Sequence, residues 1–151
     1  PRKPYFFAKE RLLVREITNP RIYCAYTNDE LYHDPAIICV LNNELNEIKV
    51  LVGILNSKLA SFYHFNSSPK ATKGAFPKIL VEDIKRFPLP QFTPIQKENI
   101  ISLVDKVITQ KRNSQIIDTS TLEKQIDDLV YQLYDLTDEE IAIIEGSING
   151  K

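Results

Sequence analysis

Few side chains in this chain could do covalent or metal chemistry. There are two histidines, His33 and His64, and two cysteines, Cys24 and Cys39. No serine sits in a Gly-x-Ser-x-Gly elbow, so a serine hydrolase has no support. The glycines, at 53, 74, 146 and 150, fall in neither a Gly-x-Gly-x-x-Gly nor a Walker spacing, so no phosphate loop is expected. Both cysteines lie inside apolar runs without metal spacing, the pattern of buried free thiols in a reducing, cytoplasmic setting. His33 reads as a loop residue and His64 as a helix-end residue, not as ligands. Asp34 followed by Glu47-Ile48-Lys49 imitates the Asp…Glu-x-Lys pattern that holds Mg²⁺ and orients water in nucleases. That chemistry needs the triplet on a strand beside the aspartate, and here the triplet opens a helical period. No catalytic and no metal-ligating residue is assigned.

What remains is a surface suited to a polyanion. Residues 1–97 carry 14 Lys+Arg against 9 Asp+Glu, and residues 98–151 carry 5 against 11. A basic part followed by an acidic part points to an anionic partner for the first alone. Lys70, Lys73, Lys78, Arg15 and Arg21 are types and positions that could follow a phosphate backbone. Tyr63, His64, Asn66, Ser67 and Thr72 are types that read base edges or enter a groove. Arg11, Arg15 and Arg21 are expected on one face of a hairpin. The competing reading is a solvated loop and solvated strand edges, where lysine blocks aggregation. Asn19-Pro20-Arg21-Ile22 loosely matches the Asn/Asp-Pro-Pro-aromatic tetrapeptide that holds the target amine in amino-methyltransferases. It lacks the second proline and the aromatic, so this chain is not such a catalytic domain.

These residues need elements to position them. Residues 11–18 and 21–27 read as two strands around a tight turn at Asn19-Pro20, and 36–41 as a buried strand. Residues 47–65 follow a helical period through Ile48, Leu51, Val52, Leu55, Leu59, Phe62 and Tyr63. A polar, basic loop is expected over 69–75, a strand over 76–81, a short turn or helix over 82–86, and an extended exit over 87–90. Three capping boxes then start three apolar stripes, at Thr93, Ser120 and Thr137, with Gly146 as a C-terminal cap. The fold class is α+β: a small mixed β-sheet recognition domain with a packed helix (1–92), then a C-terminal α-helical hairpin (93–147) serving as spacer or scaffold. No apolar run approaches the roughly 18 residues of a membrane span, so no membrane partner is expected. Methionine is absent even at position 1, so the chain is expected to be a piece of a longer polypeptide.

Leu12-Leu13-Val14-Arg15-Glu16-Ile17, then Leu51-Val52-Gly53-Ile54-Leu55-Asn56-Ser57-Lys58-Leu59 and Lys73-Gly74-Ala75-Phe76-Pro77-Lys78-Ile79-Leu80, carry a resemblance. Together with Phe87-Pro88-Leu89-Pro90 and the ending 122–146, they resemble the TaqI-like C-terminal specificity domain of adenine-N6 DNA methyltransferases and fused restriction–modification enzymes. The passage 87–97 is also similar to type I restriction specificity subunits. The resemblance implies a target recognition domain that presents DNA to a separate methyltransferase catalytic domain. S-adenosylmethionine would belong to the parent enzyme, with no cofactor in this piece. It also implies that Asn56, Ser57, Leu59, Phe62 and Tyr63 pack a helix on the sheet, and it carries over no base-reading residue. The acidic helices would face the catalytic domain, a second copy, or a motor subunit. The alternatives are a helical protein-interaction module without DNA affinity and the Mg²⁺-dependent nuclease.

Overall fold

The computed structural model describes residues 4, 7, 9–41, 47–72 and 76–149, with the backbone alone at 47, 72 and 149. Three strands, β1 (Arg11–Arg15), β2 (Cys24–Thr27) and β3 (Ile37–Val40), form one sheet in the order β2-β1-β3. Leu12 pairs with Tyr26 on one side and with Val40 on the other. Both neighbours run antiparallel to β1, so the described sheet is wholly antiparallel where a mixed one was expected. Its connections, 16–23 and 28–36, carry no helix that could make a parallel crossover. Alternation along β1 sends Leu12 and Val14 into the core and Arg15 to the other face.

The first hairpin is wider than a tight turn. The strands stop at Arg15 and resume at Cys24, and Thr18 and Ile22 between them are fully buried. Thr18 N donates to Pro77 O (3.0 Å) and Ile79 N to Glu16 O (2.9 Å). The strand expected at 76–81 shrinks to this single bridge, Ile17 with Lys78.

Seven helices follow: α1 (Glu47–Asn56), α2 (Lys58–Ser67), α3 (Pro69–Thr72), α4 (Val81–Lys85), α5 (Pro94–Asn113), α6 (Ser120–Leu133) and α7 (Asp138–Asn149). The helix expected over 47–65 is thus two. Ser57 breaks it: its hydroxyl donates to Ile54 O (2.6 Å), ending α1, and accepts from Ala60 N (3.2 Å), capping α2. Part of the expected basic loop is a helical turn, α3, opened by Pro69 at its first position.

The capping boxes at Thr93 and Thr137 form as expected, each with its reciprocal bond to Gln96 or Glu140. The middle one does not. Ser120 is already helical, its N–H donates to Asp118, and Glu123 accepts instead from the Thr119 hydroxyl (2.7 Å). Gly146 does not end α7, which runs on to Asn149.

The layers are the sheet, then α1, then the hairpin of α5 and α6, with α7 packed on α2. Ile48, Val50, Val52, Ile54 and Leu55 leave α1 buried almost all round, as befits the middle layer. Gly53 marks where α5 crosses it: a Cβ there would sit 2.8 Å from Ile100 Cγ2 and 3.3 Å from Val104 Cγ2. One core cluster therefore runs from Leu12 and Val14 through α1 to Ile100, Val104, Ile126 and Val130.

Candidate nucleic-acid interface

The polar residues of α1 and α2 divide into an inward and an outward set. The inward set grips the segment 18–24. The Asn56 amide accepts from Cys24 N (3.0 Å) and donates to Cys24 O (2.9 Å), occupying the outer edge of β2 as a further strand would. Ser61 Oγ accepts from Ile22 N (3.1 Å), and His64 Nε2 lies 3.3 Å from Thr18 Oγ1. Ser61 and His64 are buried, His64 at 2% exposure, and burial lowers the imidazole below its ordinary value. His64 thus faces inward as a neutral anchor, away from any groove, and is dropped as a base reader. Its helix-end position could not reveal this, because its partner lies 46 residues away.

The outward set follows the spacing 63, 66, 67, 70. Tyr63 is 38% exposed and meets Phe87 edge to face, with ring centroids 5.3 Å apart. Asn66, Ser67 and Lys70 are exposed, and Asn66 Nδ2 donates to Phe62 O (2.7 Å). Lys78 N donates to Lys70 O (3.2 Å), so these two cationic residues are backbone neighbours. Lys78 pairs with Glu16 (3.4 Å), while Lys70 has no ion-pair partner among the described residues. Arg15 joins them: its guanidinium donates to Ile17 O (2.9 Å) and Asn19 O (3.3 Å) across the turn that pairs with 77–79. Arg15, Lys70 and Lys78 are therefore brought to one neighbourhood around residues 16–19, with Asn66 and Ser67 exposed at the end of the helix that leads into Lys70.

The other expected residues part from this group. Arg21 sits beside Glu123 (3.4 Å), at the mouth of a cleft of about 570 Å³ between β2, α1, α5 and α6. It stays linked to Arg15 through Tyr23, whose ring centroid is 4.9 Å from the Arg15 guanidinium and 5.1 Å from that of Arg21. Tyr23 was missed from sequence, although an aromatic between two arginines across a hairpin was a usable signal. Lys73 lies outside the described residues, and so does the Thr72 side chain. Arg11 shares Arg15's face of β1 by strand alternation but adds nothing to an exposed basic surface: it is fully buried and donates to the carbonyls of Lys9 (2.7 Å) and Leu31 (2.9 Å).

Of the nuclease-like residues, Lys49 is on helix α1 and pairs with Asp105 (2.7 Å), whereas Asp34 is exposed and caps Ala36 N (2.8 Å); the Glu47 side chain lies outside the described residues. No group of three or more His, Cys, Asp or Glu suited to a metal occurs among the described residues. Cys24 is half-buried and donates to Val52 O, and burial pushes its thiol up. No described helix is long and apolar enough to cross a membrane.

Comparison with known proteins bears on what this surface meets. A candidate type II restriction enzyme and methyltransferase of Methanocaldococcus jannaschii is 31% identical over 158 aligned positions. These cover 96% of this chain but 13% of that protein, so the chain spans a small part of its relative's length. The family model described as the TaqI-like C-terminal specificity domain matches residues 1–89, more than half of the chain. The chain belongs to the family of TaqI-like C-terminal specificity domains.

Proposed function

We propose that this chain is the DNA target recognition domain of an adenine-N6 DNA methyltransferase from a restriction–modification system. It acts in the cytoplasm and positions double-stranded DNA for a catalytic domain elsewhere in its parent protein. One observation carries the reading. Arg15, Lys70 and Lys78 gather at a turn whose backbone is fixed by the hydrogen bonds of Thr18 and Ile79, and Asn66 and Ser67 are exposed at the end of the helix that leads into Lys70. Cations and small polar groups on a preorganised frame bind a phosphate backbone without a large ordering cost. Residues 1–92 do the recognition, and 93–147 are the scaffold. The acidic α6 and α7 repel DNA and so help confine it to one face. They offer a face to the catalytic domain or to a second copy. S-adenosylmethionine belongs to the catalytic domain, and no residue of this chain is assigned to it.

The test is the Lys70→Ala/Lys78→Ala double variant. Its binding to duplex DNA should weaken by a similar factor on every sequence. The slope of log K against log salt should flatten by about 2. An unchanged slope in the folded variant would remove both lysines from the phosphate contacts.

A further inference from the structure

A buried polar network joins the recognition half to the C-terminal helices. Asp127 of α6 is 7% exposed, and its Oδ1 accepts from Lys58 N (2.9 Å), the first N–H of α2. The Lys58 ammonium pairs with Glu145 of α7, whose other oxygen accepts from the buried Tyr131 hydroxyl (2.9 Å). The charged groups bearing on Asp127 are Lys58 from α2, Glu145 from α7 and Arg21 from the turn before β2. An apolar contact would hold two helices together more cheaply, because a buried carboxylate must be desolvated. What a directional hydrogen bond adds is a fixed rotation and height for α2.

We infer that Asp127 and Glu145 are positioning residues for DNA binding: reaching from α6 and α7 to Lys58, they aim α2 and the polar tract at its far end. The inference rests on the DNA-recognition reading above. α2 has 10 residues and so spans about 15 Å. A tilt of about 10° at Lys58 would move Asn66 and Ser67 by about 2.5 Å, close to a hydrogen-bond length. α2 is also fixed to the connection between β1 and β2 by Ser61 and His64. The C-terminal helices are therefore one of two clamps on the recognition helix. Surface pairs on the same helix, such as Lys124 with Asp128, lack this role because they are exposed and local.

The test uses the 151-residue chain with Asp127→Asn, Asp127→Ala and Glu145→Gln. Folding is followed by circular dichroism, the α2 amides by hydrogen exchange, and binding by fluorescence anisotropy on random duplex DNA over a salt series. Asp127→Asn keeps an acceptor for Lys58 N, and it should bind with the wild-type salt slope. Asp127→Ala should stay folded, lose protection at the Lys58 amide and flatten the slope by about 1, the phosphate contact of Lys70 just past the displaced end of α2. Glu145→Gln should change the slope in the same direction by less, and it decides the matter if Asp127→Ala does not fold. A folded Asp127→Ala or Glu145→Gln protein with the wild-type slope overturns the inference while leaving DNA recognition standing. A wild-type chain with no salt-dependent binding overturns both.

Discussion

At the scale of single residues, similar side chains within α2 do opposite jobs. Ser61 turns inward to Ile22 N and His64 to the Thr18 hydroxyl, while Asn66 and Ser67, two to six residues on, are exposed. Residue type at helical spacing was legible, but the face was not, since both faces of α2 are polar and the inward partners are remote in sequence. Asn56 shows what such anchors contribute. Removing its amide leaves both Cys24 N and Cys24 O without their bonds, so Asn56→Ala should cost about 1–3 kcal/mol. The denaturant midpoint checks this, and an unshifted midpoint would mean water replaces the amide.

Two groups give opposite pH signatures. Burial lowers His64, so the unfolded chain takes its proton first; the stability it contributes is present above about pH 6.5 and lost as pH falls. Burial, opposed by the Lys58 amide and ammonium, raises Asp127 from 3.8 to about 6. Its contribution is therefore present below pH 3.8 and lost as pH rises through about 6. Asp127→Asn should accordingly be more stable than wild type at pH 7.5, by about 1 kcal/mol after allowing for solvent screening. The gap should close by pH 4, and a gap independent of pH would contradict the assignment.

At the scale of elements, what was legible depended on how local the signal is. Thr93 and Thr137 cap as read, because a capping box closes within four residues. Ser120 fails by one position, since Thr119 and Asp118 compete for the same helix start. Ser57 was hidden inside a continuous apolar stripe, whose period stays in phase across the break. The strand expected at 76–81 was apolar enough but has only the short 16–18 segment to pair with. Gly53 gives the element-scale test. Gly53→Ala gains up to about 1 kcal/mol of helix propensity but presses on Ile100 and Val104, and overpacking costs about 1–3 kcal/mol. The thermal midpoint should fall, and a raised midpoint would show that α5 can shift away from α1 freely.

At the scale of the whole molecule, the basic first half and acidic second half are chemically distinct surfaces over a single core. The change of character near residue 93 was legible as a change of composition. That α1 is buried from both sides was not, because an apolar stripe does not say which element covers it. Removing 93–151 would expose Val52 and Gly53 and strip away Ile100, Val104, Ile126 and Val130. Residues 1–92 alone should therefore lose cooperative unfolding, as followed by circular dichroism against denaturant. A sharp transition would show two independent folding units. The central claim is that the surface around residues 16–19 meets DNA. The most direct test is fluorescence anisotropy of the 151-residue chain with random duplex DNA at low and moderate salt, without Mg²⁺. Binding should fall steeply with salt, with a slope of about 3 if Arg15, Lys70 and Lys78 each neutralise one phosphate. Absence of binding at low salt, or binding indifferent to salt, would contradict it.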